Sequence, residues 1–270
     1  MGKKQDFSIN VTSKMKKKLK VTQKKLTINK NEIKTVINYL KKESSPNYNE
    51  HSPIYLYIIL KDEIKDEENL KKIKNKLIKL KHSLISEELE IKQCLLEDNL
   101  NDNEKIDLVN LSPSMDILSN EELTERINEL KDNNCDINNL NYLYQIFISN
   151  SKYNLFQKNN INKSCDIIYY QKKNLDKLKE IIKKIEKGSS IIKILNKKNI
   201  FRIKCGYVKM TENIIYENIN NMIYKSICFL LSNSQKYNTI EGIIIKTDNS
   251  IPFKIFGEIK SEYIKILKNK

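Results

Sequence analysis

With 270 residues, 39% of them hydrophobic, the chain is long enough to bury one large core or two small ones. Its formal net charge of +15 and pI near 9.3 ask for a polyanionic partner, nucleic acid or an acidic membrane, although Lys, Asn and Ile are residues favoured by AT-rich coding and compositional drift shares in that excess. No apolar run approaches the roughly 20 residues that span a bilayer; there is no signal-peptide core, and Asp6 stands where a myristoylation signal wants Ser or Thr, so a reduced, intracellular, non-membrane protein is expected.

Residues 1–26 are polar and basic around Lys14-Met15-Lys16-Lys17-Lys18-Leu19-Lys20, which predicts a disordered arm, either an import and RNA-contact segment or a solvated tail. A helix is predicted near Asn31 to Lys42, with Ile33, Val36, Ile37 and Leu40 on one face and Asn29 or Asn31 as its cap. After a Ser-Ser-Pro loop, Ile54 to Lys61 alternates as a strand. Ile54, Leu56, Ile58 and Leu60 form one row; Tyr55, Tyr57, Ile59 and Lys61 form the other.

Residues 62–161 read as an inserted second domain. Between Ser86 and Asp136 there are 15 acidic and 4 basic residues, a local net of −11 that leaves +26 for the remainder. Uniform drift does not separate the signs in this way, so the pattern is a basic platform interrupted by an acidic insert. Within it Lys71 to Leu84 is open between helix and loop. Ile91 to Leu96, Asp107 to Asn110 and Leu143 to Ser149 are expected strands, Asn120 to Lys131 a helix and Ser151 to Lys158 a short helix. Strands alternating with helices predict a small parallel α/β layer.

The first domain, 27–61, resumes over 162–257 with a strand at Asp166 to Tyr170, a helix at Asn174 to Lys187 stopped by Gly188, and a strand or turn at Ile191 to Leu195. A β-α-β unit follows: strand Ile200 to Cys205, helix Thr211 to Leu231, strand Gly242 to Lys246. The helix carries Ile215, Ile219, Met222, Ile223, Ile227 and Leu230 as one stripe that should cover the apolar sheet face. The opposite face, with Arg202, Lys204 and Lys246, would stay open and basic. Residues 258–270 are expected to be a basic tail helix.

Cys205-Gly206-Tyr207-Val208-Lys209-Met210, the helix with Tyr216-Glu217-Asn218-Ile219, and Ile243-Ile244-Ile245-Lys246-Thr247 resemble the C-terminal half of ribosomal protein L-one, the stalk protein of the large subunit. Lys246-Thr247 followed by a polar loop and Ile251-Pro252-Phe253-Lys254-Ile255-Phe256 is similar to the nucleolar branch of that family, whose members assemble ribosomes. The resemblance implies an α/β (α+β) two-domain fold: a split β-α-β sheet domain built from both ends of the chain, and an inserted Rossmann-like domain. It also implies binding to ribosomal or pre-ribosomal RNA, proteins of the pre-ribosomal particle as neighbours, and a nucleolar or nuclear location. Two departures stand out. Thr247-Asp248-Asn249 keeps only the threonine of the stalk protein's Thr-Met-Gly signature. The interval from Asn150 to Ile161 lacks that protein's glycines and prolines. Both fit an assembly factor better than a cytoplasmic stalk protein.

No active site is legible. Five glycines at 2, 188, 206, 242 and 257 form neither a P-loop nor a dinucleotide fingerprint. The five scattered cysteines and two distant histidines, His51 and His82, suggest no disulfide framework or zinc site. No cofactor, metal or small-molecule substrate is implied. The candidate site is a basic-aromatic sheet face: Tyr55, Tyr57, Lys61, Arg202, Lys204, Lys246 and Thr247, joined by Lys209 and Ser250. RNA asks for cations at phosphate, flat rings at unstacked bases and small polar groups at the 2′-hydroxyl. The competing arrangement buries the same tyrosines as core. A third reading makes the acidic insert a protein-interaction module and the basic face incidental.

Overall fold

The computed structural model describes residues 28–43, 52–74, 76–85, 92–133, 144–150, 166–170, 175–195, 198–234, 239–258 and 260–268. The predicted arm at 1–26 and the short helix at Ser151 to Lys158 lie outside them. The chain is mixed α/β, with one antiparallel and one parallel sheet. It divides into two units, Met1–His82 with Ser190–Lys270, and Ser83–Ser189.

In the first unit the elements are α1 (Lys30–Glu43), β1 (Pro53–Leu60), α2 (Glu67–Ile73), β2 (Lys76–Lys79), β7 (Ser189–Ile194), β8 (Ile200–Tyr207), α6 (Glu212–Ser232), β9 (Ile240–Lys246), β10 (Phe253–Gly257) and α7 (Ser261–Lys268). Six strands form a sheet in the order β10-β9-β1-β8-β7-β2. β1 pairs antiparallel with both β8 and β9, so those two run parallel to each other with β1 between them. A strand from the N-terminal part of the chain thus completes a unit supplied by the C-terminal part.

The rows read from alternation hold from Ile54 to Ile59; the pairing with β9 shifts between Ile59 and Leu60, and Lys61 lies beyond the strand. Ile54, Leu56 and Ile58 face the long helix α6, whose Ile215, Ile219, Met222, Ile223, Ile227 and Leu230 are all buried. α1 packs along α6 through Ile33, Ile37 and Leu40. Its first turn is capped by the Asn29 side chain, which accepts from the Asn31 N–H at 3.0 Å. The pairing of β1 with β8 slips by one residue between Ile54 and Tyr55. That slip turns Gly206 towards α6, where a Cβ would lie 3.1 Å from Ile215 Cγ1.

Asn218, fully buried on α6, ties the helix to its surroundings. Its Oδ1 accepts from the His82 N–H at 2.8 Å, and its Nδ2 donates to the carbonyls of His82 at 3.1 Å and Cys205 at 3.0 Å.

The second unit carries β3 (Lys92–Leu96), α3 (Asp102–Leu111), β4 (Met115–Leu118), α4 (Asn120–Asp132), β5 (Tyr144–Asn150), β6 (Asp166–Tyr170) and α5 (Leu175–Glu186). Its four strands are parallel, in the order β4-β3-β5-β6. Cys94, Leu96, Leu118, Tyr144, Phe147 and Ile167 from the strands meet Leu123 and Ile127 of α4 in one core. Gln93, Ser112 and Glu186 form a second, polar tie: Gln93 Nε2 and Ser112 Oγ both donate to Glu186 Oε2, each at 2.7 Å.

Three expectations are corrected. Asp107 to Asn110 is not a strand. It lies inside α3, which is started by a reciprocal cap between Asn101 and Glu104. The inserted domain does not end at 161: β6 pairs in parallel with β5, so β6 and α5 belong to the second unit. Nor does it begin at 62, because α2 and β2 belong to the first unit, where β2 extends the sheet beside β7.

Candidate nucleic-acid interface

β1, β8 and β9 bring most of the predicted site residues onto one sheet face. Tyr55 has Lys204 opposite it on β8 and Lys246 opposite it on β9. Tyr57 lies between Arg202 and Ile244. The Arg202 guanidinium sits 4.4 Å from the centre of the Tyr55 ring, a stacked cation–π geometry. Tyr55 and Tyr57 meet edge to face, 6.2 Å between centres. Lys204 Nζ lies 5.7 Å from the Tyr207 ring. At the end of β9, Ser250 Oγ accepts from the Thr247 N–H at 2.9 Å and Thr247 Oγ1 accepts from the Ser250 N–H at 3.1 Å. This exchange closes the polar loop.

Lys61 does not join the cluster. It follows the far end of β1, six residues beyond Tyr55, or roughly 20 Å along an extended strand. It is exposed there, as is Lys209 on the turn after β8 at the other end. That turn is held by the Lys41 ammonium, which donates to the Met210 carbonyl.

The expectation of an open basic face is corrected. Tyr55, Tyr57, Arg202, Lys204, Lys246 and Thr247 are all buried, none more than 6% exposed. The C-terminal helix α7 meets Tyr55, Tyr57 and Lys246 among them. Its Tyr263 and Leu267 pack with Tyr55, Tyr57, Ile59, Leu195, Ile200 and Ile244, and Ile266 joins at the margin. Asn199 Nδ2 donates to the Tyr263 hydroxyl at 3.1 Å, and Lys246 Nζ donates to the Leu267 carbonyl at 2.6 Å. The cause is apolar area. The tyrosine row shares its face with Ile59, Ile200 and Ile244, and a neighbouring amphipathic segment removes that surface from water. Burial also pushes the Lys246 ammonium below its usual pKa; Asp248 works in the opposite direction and Arg202 adds to the lowering.

Tyr263, Leu267 and Asn199 were absent from the sequence-based site. The spacing of Tyr263, Ile266 and Leu267, three and four residues apart, carried the signal, but the surrounding lysines obscured it.

Charge also divides between the two units. The first holds 35 basic and 15 acidic residues of the sequence, the second 14 and 19. His82 is half-buried and bonded to Glu217. Lys81 reaches the same carboxylate at 2.8 Å, and the two partners hold it below the usual range. Cys94 and Cys205 are buried; desolvation drives the Cys205 pKa far upward, so it is an inert packing group. No helix of the described residues is long and apolar enough to cross a membrane. No known family model matches the chain, and no curated protein matches it.

Proposed function

We propose that this chain is a non-enzymatic RNA-binding factor of ribosome assembly, with a two-domain fold like that of ribosomal protein L-one, and that it binds pre-ribosomal RNA through the β1-β8-β9 face of its first unit. The observation that carries the reading is the threading of β1 between β8 and β9, which sets Tyr55 between Lys204 and Lys246 with Arg202 stacked on its ring. Cations beside aromatic rings are what a single-stranded or looped RNA segment requires. The positive balance of the first unit supports it, since phosphate contacts dominate RNA affinity. A second, acidic α/β unit inserted in the chain matches the domain order that the resemblance implies. On this reading the protein works in the nucleolus, among precursor particles and their proteins.

The acidic second unit favours one rival, a protein-docking module. Ile106 and Val109 stand on α3 at 59% and 42% exposure, one turn apart. Crosslinking in cells followed by sequencing of the bound RNA separates the readings. Ribosomal precursor spacers are expected. Mature stalk RNA alone would point to a structural ribosomal protein, and no RNA would leave the docking module.

A further inference from the structure

The closed face has a particular kind of occupant. Arg202, Lys204 and Lys246 are 6%, 2% and 2% exposed, and burying a cation is unfavourable unless something polar compensates. A helix of eight residues, α7, packs on the tyrosines of that face and takes the Lys246 ammonium. A helix that short does not form on its own in water, so its structure depends on its docking. The chain reaches it from Gly257, whose positive φ of +77° turns it out of β10.

What α7 presents to the sheet follows the chemistry of a nucleotide. Tyr263 puts a flat ring into the cluster with Tyr55 and Tyr57, as an unstacked base would. The Leu267 carbonyl, one of the last of the helix and at its partially negative end, accepts the Lys246 ammonium as a phosphate oxygen would.

We infer that α7 is a displaceable plug over an RNA-binding face: single-stranded pre-ribosomal RNA exchanges with it, a base taking the place of the Tyr263 ring and a backbone phosphate the place of the Leu267 carbonyl. This inference rests on the RNA-binding reading above. It adds the regulation of that face: the free protein is closed, and affinity is scaled down by the fraction of molecules in which α7 has left.

The test uses the full chain and a labelled transcript of precursor ribosomal RNA. The double variant Tyr263→Ala/Leu267→Ala weakens the docking of α7 and leaves β1, β8 and β9 intact. It should bind at least tenfold more tightly than wild type. Adding Lys246→Met should abolish the gain. Hydrogen exchange on the unaltered protein needs no variant: saturating RNA should strip protection from the amides of 261–268 while raising it in β1. Equal affinity of wild type and double variant, with α7 still protected in the complex, would overturn the plug and leave RNA binding on another surface. No binding by either protein would overturn the RNA reading and the plug with it.

Discussion

Replacing Lys246 by Met should make the protein more stable, and this inverts the usual expectation for a buried side chain that makes a good hydrogen bond. Lys246 is 2% exposed and its ammonium donates to the Leu267 carbonyl at 2.6 Å. Removing the donor leaves that carbonyl short of a partner, at a cost of about 1–3 kcal/mol. Against this stands the desolvation of an ion, several kcal/mol even after relaxation, and replacements of buried charge by apolar residues of similar volume are often stabilising by about 1–4 kcal/mol. Met also keeps most of the lysine's stem packed beside Tyr55. The balance is a gain of about 1–3 kcal/mol at pH 7, or a urea midpoint higher by roughly 1 M at a typical denaturant slope.

The pH dependence gives an independent check. Burial lowers the folded-state pKa of Lys246 below the 10.5 of the unfolded chain. Between those two values the unfolded state binds the extra proton, so wild-type stability rises with pH through that window. The penalty is complete below the folded pKa and relieved towards 10.5, so the gap between Lys246→Met and wild type should narrow as the solution is made alkaline. Urea unfolding at a series of pH values measures it. A variant less stable than wild type by more than about 1 kcal/mol would show that the buried ammonium is a net stabilising group, and a gap independent of pH would show that burial does not lower its pKa.

Two other substitutions bear on the frame that holds the face, and a third on the core of the second unit. Gly257→Ala places a Cβ 1.9 Å from the Glu241 carbonyl oxygen at a φ of +77°, and should cost about 2 kcal/mol or more; thermal melting should fall by roughly 4–8 °C, and an unchanged midpoint would refute the strain. Asn218→Ala removes three hydrogen bonds that bind α6 to His82 and Cys205, about 2–4 kcal/mol in all, and hydrogen exchange should show the His82 amide losing its protection. In the second unit Tyr144 donates to Asp116 at 2.8 Å and accepts from Arg126 at 2.7 Å, and burial raises its phenol pKa far above the usual value. Tyr144→Phe should cost about 1–2 kcal/mol, and in an alkaline absorbance titration one tyrosine of the wild type should ionise only as the unit unfolds.

Where one face of an element is apolar and the other is not, its period is visible in the residues. The Ile54 row of β1, the α6 stripe and the β8-α6-β9 order all come from that regularity. Strand partners do not follow from period alone. Asp166 to Tyr170 reads equally well as a strand of either sheet, and only its pairing with β5 assigns it. Short polar elements fared worst. Asp107 to Asn110, two apolar residues between two polar ones, is too short to show a period, and the reciprocal cap of Asn101 and Glu104 just upstream commits the segment to a helix. The candidate site was legible as a set of residues and illegible as a surface. Tyr55, Arg202, Lys204 and Lys246 do converge, but what meets Tyr55 and Lys246 there is a tail segment whose apolar residues are few and separated by lysines. A charge count reads that tail as solvated; a helical projection puts Tyr263 and Leu267 on one side.

The most direct test of the central claim is photocrosslinking of the full chain to precursor ribosomal RNA at saturation, followed by mapping of the modified peptides. Adducts are expected on Tyr55 or Tyr57 of β1 and within Ile200–Tyr207 of β8. Adducts confined to other peptides, with β1 and β8 unmodified, would contradict the claim that this face takes RNA.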